Sequence, residues 1–311
     1  MPNVFLTHPL LWVTFWLKCV RVCYYRSKAI RHLKLRYYLE GALINNIAMK
    51  EVMSMLKKTS RTFFIPISYL DSGLREAVAS GYLCMRAIDE IEDHNELADE
   101  LKVELLLEIY ETFKTQDVME TQFILSPHRT VLPAVTMQIG KWALLCPSSS
   151  ADIVYRYISK MALHMAEWVQ NGWSIHTEED LDRYTYSVAG MVGEMLSELW
   201  FWYDGTRSDL TKAIAFGRGL QAVNILRNRE EDLKRGVDFF PDGWGYKEMQ
   251  QYTHRNLQIA DSYIAELKDG PALKFCKIPL ALAHATVNLI ASGGNKLTRD
   301  AVLKIVNRVT G

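Results

Sequence analysis

Tyr82-Leu83-Cys84-Met85-Arg86-Ala87-Ile88-Asp89-Glu90-Ile91-Glu92-Asp93 is the stretch on which the reading of this chain turns. On a helix from Leu74 to His94, at about 100° per residue, Tyr82, Arg86, Asp89 and Asp93 fall within roughly a 60° arc. Cys84, Ala87, Ile88 and Ile91 fall on the opposite side. The helix therefore has an apolar back and a narrow polar stripe. Four of the five residues from Asp89 to Asp93 are acidic. Like charges one turn apart repel, so the cluster is costly unless a cation binds it.

A second stretch, from Gln221 to Asp232, repeats the design. Gln221, Asn224, Asn228, Glu231 and Asp232 share roughly a 100° arc, with Arg227 beside them. Ala222, Val223, Ile225, Leu226 and Leu233 lie away from that stripe. Magnesium takes oxygen ligands and binds through one or two carboxylates plus substrate phosphates. Two such helices face to face would clamp a diphosphate through Mg²⁺, making it a better leaving group, so that an allylic C–O bond can ionise. A lone D-x-x-x-D on a helix is commonly a solvated face. Two acidic helices, each with an Arg and an Asn or Tyr on the same stripe, are a rarer pattern.

The remainder of the chain is helical in pattern. Stretches rich in Leu, Ala, Met, Glu and Lys alternate with breakers at Pro66, Asp71-Ser72-Gly73, Ser126-Pro127-His128, Pro147-Ser148-Ser149-Ser150, Asp204-Gly205, Pro241 to Gly245, Asp269-Gly270-Pro271 and Ser292-Gly293-Gly294. Ser149 with Asp152, and Thr177 with Asp180, have capping-box spacing. About ten helices around one core are expected, hence an all-α fold in a single domain over residues 1–311.

Lysine plus arginine and aspartate plus glutamate both number 36. That balance argues against nucleic acid as partner, since backbone binding leaves a basic footprint. The five cysteines are scattered, with no C-x-x-C pair, so neither a zinc site nor a disulfide framework is expected. A reduced, cytoplasmic setting fits. No membrane-spanning segment is expected. The apolar run Leu10 to Leu17, followed by Lys18 and Arg21, is too short to span and lacks signal-peptide features. Residues 1–30 read as an apolar helix with two readings open: packed on the core, or lying on lipid with Trp12 and Trp16 as anchors, a peripheral membrane contact.

With these residues in view, the chain resembles the squalene/phytoene synthase family, on the squalene synthase side. Thr59-Ser60-Arg61-Thr62-Phe63 is similar to the family's T-S-R-S-F, and the Tyr82–Asp93 stretch matches Y-L-x-x-R-A-x-D-x-x-E-D. Tyr184 with Val188-Ala189-Gly190-Met191-Val192-Gly193 matches Y-x-x-x-V-A-G-x-V-G, and Asn224-Ile225-Leu226-Arg227 opens the second acidic motif. Phe275 to Pro279 with Ala283 to Thr286 resembles a pocket-lining helix. The resemblance implies an isoprenoid-synthase helical bundle with a central cavity, Mg²⁺ as cofactor and a prenyl diphosphate as substrate. Farnesyl diphosphate is favoured over geranylgeranyl diphosphate. It implies metal ligands at Asp89 and Asp93 and, from the second motif, Asn228, Glu231 and Asp232. It implies substrate contacts from Ser60, Arg61, Tyr82, Arg86, Gln221, Asn224, Arg227 and Phe275, and a catalytic Tyr184 near the reacting carbons that assists proton removal. Gly190 and Gly193 read as close-packing positions rather than chemical ones.

Three departures from the family pattern matter. Asn228 stands where the second motif has aspartate, Val237 where an arginine usually reaches phosphate, and Leu280 where squalene synthases tend to carry glutamine. The first removes a full charge from the metal cluster, a loss of about a few kcal/mol, and the second falls on the same side of the cavity. The leading expectation is head-to-head condensation of two farnesyl diphosphates to squalene or a related C30 product, with NADPH if the product is squalene. The alternative is a single-substrate terpene cyclase or prenyl diphosphatase. A third, of another class, is a non-catalytic binding protein, against which the intact Asp89/Asp93 pair argues. An aromatic and methionine-rich set (Phe63, Phe64, Met161, Met165, Trp168, Met191, Met195, Phe216) would steer a carbocation or simply fill the core. No dinucleotide fingerprint is present. The chain ends at Gly311, before any C-terminal anchor helix of the eukaryotic squalene synthase type, and so reads as soluble or peripheral.

Overall fold

The computed structural model describes residues 41–310, with side chains from Met49 onward except that of Arg61. Among them no strand occurs, and eleven helices have eight residues or more. They are α1 (Gly41–Thr59), α2 (Arg61–Ser68), α3 (Leu74–Glu92), α4 (Asp99–Lys114), α5 (Ala151–Gln170), α6 (Glu178–Thr185), α7 (Met191–Asp204), α8 (Leu210–Lys234), α9 (Tyr246–Glu266), α10 (Pro271–Ala291) and α11 (Arg299–Thr310). Short helical turns fill the stretch from Val118 to Ala143. The chain divides into two compact units, 1–50 and 51–311. The apolar segment 1–30 lies outside the described residues.

The second unit is a ring of helices. α3 packs on α5, α5 on α7, α7 on α8, α8 on α10, α10 on α2, and α2 returns to α3. α4 backs α5, and α9 backs α8 and α10. The ring leaves a central cavity rather than a solid core. α3 shows why it stays in place: Cys84, Ala87, Ile88 and Ile91 are all fully buried on its back, as its apolar stripe requires.

Several starts follow the local chemistry. Thr177 accepts from the Asp180 N–H at 3.1 Å, while the Asp180 carboxylate accepts from the Thr177 N–H at 2.9 Å, the reciprocal cap expected of that spacing. Four expectations need correction. Ser149 does not cap α5. Ser150 holds that position, its hydroxyl donates to Pro147 O at 3.2 Å, and Asp152 accepts from Gln116 at 2.6 Å. Pro66 does not end α2, which continues to Ser68. The carbonyl that its missing N–H leaves without a helical partner belongs to Thr62, an exposed residue. α3 closes at Glu92, two residues before His94. One helix, Pro271–Ala291, is long and apolar enough to cross a membrane, contrary to expectation. It reads as a core helix here because Phe275, Cys276, Ile278 and Pro279 are buried within the bundle.

Between α6 and α7 the helix widens into a π segment, Tyr186–Gly190, with Met191 N–H reaching Tyr186 O. Glycines let this segment and α7 press on α8. A Cβ on Gly217 would stand 2.1 Å from Ala189 O, and one on Gly193 would stand 2.1 Å from Ala213 O. The backbones therefore touch, which only glycine allows.

Candidate active site

The cavity has a volume of about 1170 Å³. α3 contributes Tyr82, Arg86, Asp89 and Glu92 to its wall, with Asp93 just beyond the helix. α8 contributes Gln221, Asn224, Arg227, Asn228 and Asp232, with Arg235 just beyond it. The two stripes that the sequence writes 140 residues apart therefore open onto one space.

On α3 the carboxylates of Asp89, Glu92 and Asp93 offer ligand atoms within 4.8 Å of one another. Arg86 pairs with Asp89 and with Glu90. Burial, and then the Asp93 charge, raise the Asp89 carboxyl to about 7. Glu92 is 3% exposed and is pushed well above the carboxylate range by burial, then by Asp93 and Asp89. The Trp173 indole N–H donates to Glu92, and the Lys102 ammonium sits 5.2 Å from the Trp173 ring centre. Trp173 carries a positive φ of 49°, a conformation costly for a bulky residue. Three crowded carboxylates, of which Asp89 and Glu92 resist losing their protons, form a donor set of hard oxygens suited to a cation such as Mg²⁺.

On α8 the arrangement differs. Arg227 donates to Asn228 Oδ1 at 3.1 Å and to Asn224 Oδ1 at 2.5 Å, and Asn228 Nδ2 donates to the same Asn224 oxygen at 3.2 Å. The Asn228 oxygen thus accepts from Arg227. Asp232 is 8% exposed and accepts from Arg235 at 2.7 Å. Glu231 is exposed and is not among the lining residues. The polar stripe runs past the packed part of α8, because Glu230, Leu233 and Lys234 are also exposed there. Val237 packs in an apolar cluster with Phe239, Phe240 and Trp244.

Ser60 caps α2, accepting from Phe63 N–H at 3.1 Å, and its hydroxyl meets Tyr82. The side chain of Arg61, which opens α2, lies outside the described residues. Tyr184 is buried, stacked on Phe239 with ring centres 4.5 Å apart, and meets Trp168 edge-on at 5.4 Å. Burial, then Glu92 and the neighbouring carboxylates, raise its phenol far above the ordinary range, so it is held neutral. Phe275 lines the cavity and is tilted against Trp200 at 5.5 Å. Of the aromatic and methionine set, Phe63, Phe64, Met161, Met195 and Phe216 line the cavity. Met165 and Met191 are core residues with no exposure. Leu280 is buried and does not line the cavity.

Three participants escaped the sequence reading: Glu92, Trp173 and Arg235. Glu92 carried a signal, since it stands at i+3 from Asp89 on a helix. Arg235 carried one too, since it stands at i+3 from Asp232 as the C-cap of α8, whereas Trp173 carried none, because its position depends on the turn after α5.

A family model described as squalene/phytoene synthase matches residues 56–248. The squalene synthase of Rattus norvegicus is 29% identical over 287 residues, covering 83% of this chain and 67% of that protein. The squalene synthase ERG9 of Candida albicans is 29% identical over 279 residues, covering 78% and 62%. The chain thus spans about two thirds of the length of these relatives. A solved structure of TcSQS with the ligand BPH1237 superposes with a TM-score of 0.71 at 24% identity, covering 85% of this chain and 86% of the other. A dehydrosqualene synthase structure superposes with a TM-score of 0.61 at 16% identity, covering 85% and 96%. These structural likenesses show a shared isoprenoid-synthase bundle. Since the family model alone covers more than half of the chain, this protein belongs to the squalene/phytoene synthase family and is a squalene synthase-like enzyme.

Proposed function

We propose that this enzyme ionises allylic prenyl diphosphates at the gap between α3 and α8, and joins two farnesyl diphosphates head to head toward squalene or a related C30 product. The observation that carries this reading is the single cavity of about 1170 Å³ onto which both acidic stretches open. Sites for one small ligand run to roughly 300–1,000 Å³, so the space favours more than one chain.

Asp89, Glu92 and Asp93 would hold Mg²⁺, which neutralises the diphosphate and makes it a better leaving group. Arg86 and Arg227 supply fixed positive charge beside it, with Ser60 and Tyr82 as hydroxyl donors. The apolar wall, with Phe63, Phe216 and Phe275, excludes water from the cation. In the first half-reaction one C–O bond breaks and diphosphate leaves. New carbon–carbon bonds to the second substrate form, a proton is lost, and a cyclopropyl C30 diphosphate results. In the second half-reaction that C–O bond would break with loss of diphosphate, and NADPH, where squalene is the product, would supply the hydride and leave as NADP⁺. Tyr184, neutral, stacked on Phe239 and edge-on to Trp168, lines the cavity beside the acidic stretches. Its hydroxyl passes a proton on toward diphosphate rather than acting as a phenolate. The apolar substrate would be drawn from a membrane surface facing the cytoplasm.

A second reading is favoured by one observation. The Asn224–Arg227–Asn228 network is complete without a carboxylate at 228, so the second ionisation lacks a ligand that the family pattern supplies. Under that reading one substrate is ionised and captured by water or its own alkene. Incubation with Mg²⁺ and farnesyl diphosphate, with and without NADPH, followed by mass spectrometry, separates the two. A C30 hydrocarbon or cyclopropyl diphosphate supports coupling. Farnesol or a cyclic C15 product, unchanged by NADPH, overturns it in favour of the second reading.

A further inference from the structure

We infer that Arg235 is the resident cation of the second acidic stretch, so that this chain loads metal on the α3 side of the gap and meets phosphate with guanidinium on the α8 side. The inference rests on the diphosphate reading above and says how the two halves of that site divide the work.

Arg235 donates to Asp93 Oδ1 at 2.5 Å and to Asp232 Oδ1 at 2.7 Å. One planar fork thus joins carboxylates from both acidic stretches, the place where a bridging cation belongs. The charge is also unevenly divided. The α3 stretch lines the cavity with three carboxylates and one guanidinium, Asp89, Glu92 and Asp93 against Arg86. The α8 stretch lines it with one carboxylate and two guanidiniums, Asp232 against Arg227 and Arg235. Asn228 is consistent with this division. Its amide N–H₂ donates to Asn224, a bond that a carboxylate in its place could not make. Arg229 is not a substitute, since it pairs with Asp238 at 2.8 Å and lies over Phe240 at 3.8 Å. Arg235 closes α8 in helical conformation, its backbone N–H on Asp232 O, and Gly236, with φ +84°, turns the chain away after it.

A guanidinium keeps its charge at any working pH and fits phosphate oxygens bidentately. An arriving diphosphate would take Arg235 from Asp93, leaving Asp93 free for metal. Metal alone and Arg235 therefore compete for one carboxylate, whereas diphosphate recruits both.

The test uses the full chain and two probes, Mn²⁺ followed by its free-ion EPR signal and inorganic diphosphate followed by calorimetry in EDTA. Arg235→Gln is expected to bind Mn²⁺ alone more tightly and metal-free diphosphate more weakly. Each change should be about tenfold or more, the size of one charge-assisted hydrogen bond. Arg235→Lys, which keeps the charge and loses the fork, should move both in the same directions by less, and it carries the test if Arg235→Gln does not fold. Opposite signs are the signature, since a loss of packing weakens both together. Both affinities falling, or neither moving, while wild type binds both probes, overturns the inference alone. A wild-type chain that takes up no Mn²⁺ with or without diphosphate overturns the diphosphate reading and this inference with it.

Discussion

Replacing Gly217 with alanine tests whether direct backbone contact between the π segment and α8 holds the cavity wall. The added Cβ would stand 2.1 Å from Ala189 O and 2.9 Å from Gly190 Cα. Ordinary contact begins at 3.4 Å, so the two helices must part by about an ångström. What lies opposite is backbone, which cannot swing away. Overpacking costs about 1–3 kcal/mol and occasionally more, and two rigid backbones place this site at the upper end. Alanine returns about 1 kcal/mol of helix propensity. The net expectation is a loss of about 2 kcal/mol, which for a domain of this size lowers the melting temperature by about 4–8 °C. Differential scanning calorimetry of a graded series supplies the control. Gly193→Ala faces Ala213 O at 2.1 Å and should match Gly217→Ala. Gly81→Ala meets the mobile end of Met195 at 2.9 Å and should cost less. Gly245→Ala, with only Glu248 Oε2 at 3.4 Å, should be nearly neutral. A Gly217→Ala protein that melts with the wild type would refute the contact as the source of helix placement.

Three further outcomes are expected. Asn228→Asp should break the Asn224 amide bond, add a charge beside Arg227, and raise the share of C30 product over C15 product by mass spectrometry; an unchanged ratio counts against a role for position 228 in the second ionisation. Asp89 has its pKa raised to about 7, so the native state holds a proton that the unfolded state has lost, and metal-free stability should fall as pH rises from about 4 to about 7. Mg²⁺ should therefore raise the melting temperature more at pH 8 than at pH 5.5, and equal gains would contradict the assignment. Trp173→Phe keeps a ring under Lys102 but removes the donor to Glu92, and should weaken Mn²⁺ binding by about tenfold, the cost of one buried donor; unchanged Mn²⁺ affinity would show that Glu92 does not depend on that bond.

The polar stripe of α3 was legible because one period, 3.6 residues, decides both faces: Tyr82, Arg86, Asp89 and Asp93 reach the cavity, and Cys84, Ala87, Ile88 and Ile91 reach the core. The same rule misplaced Glu231, since a helical wheel carries no information about where the neighbouring helices stop. It also missed Arg235, which meets Asp93 across 142 residues because α3 and α8 face one another in the bundle. Pro66 and Ser149 failed for a related reason. Proline forbids one hydrogen bond rather than a helix, and a serine caps only if the chain enters at its own position. The loss of arginine at Val237 was visible, but the guanidinium that Arg235 brings to the gap required three dimensions.

The π segment fixes more than its own shape. Each residue inserted into a helix turns everything after it by about 100°, so the face that α7 shows the cavity, with Val192, Met195 and Leu196, is set by a defect in winding rather than by those side chains. Shortening Tyr186–Gly190 by a single residue would rotate that face away while leaving the composition of the wall nearly unchanged. In this scaffold the shape of the cavity wall is thus a heritable property of length. Drift by insertion and deletion could reshape it in steps that point substitutions cannot take.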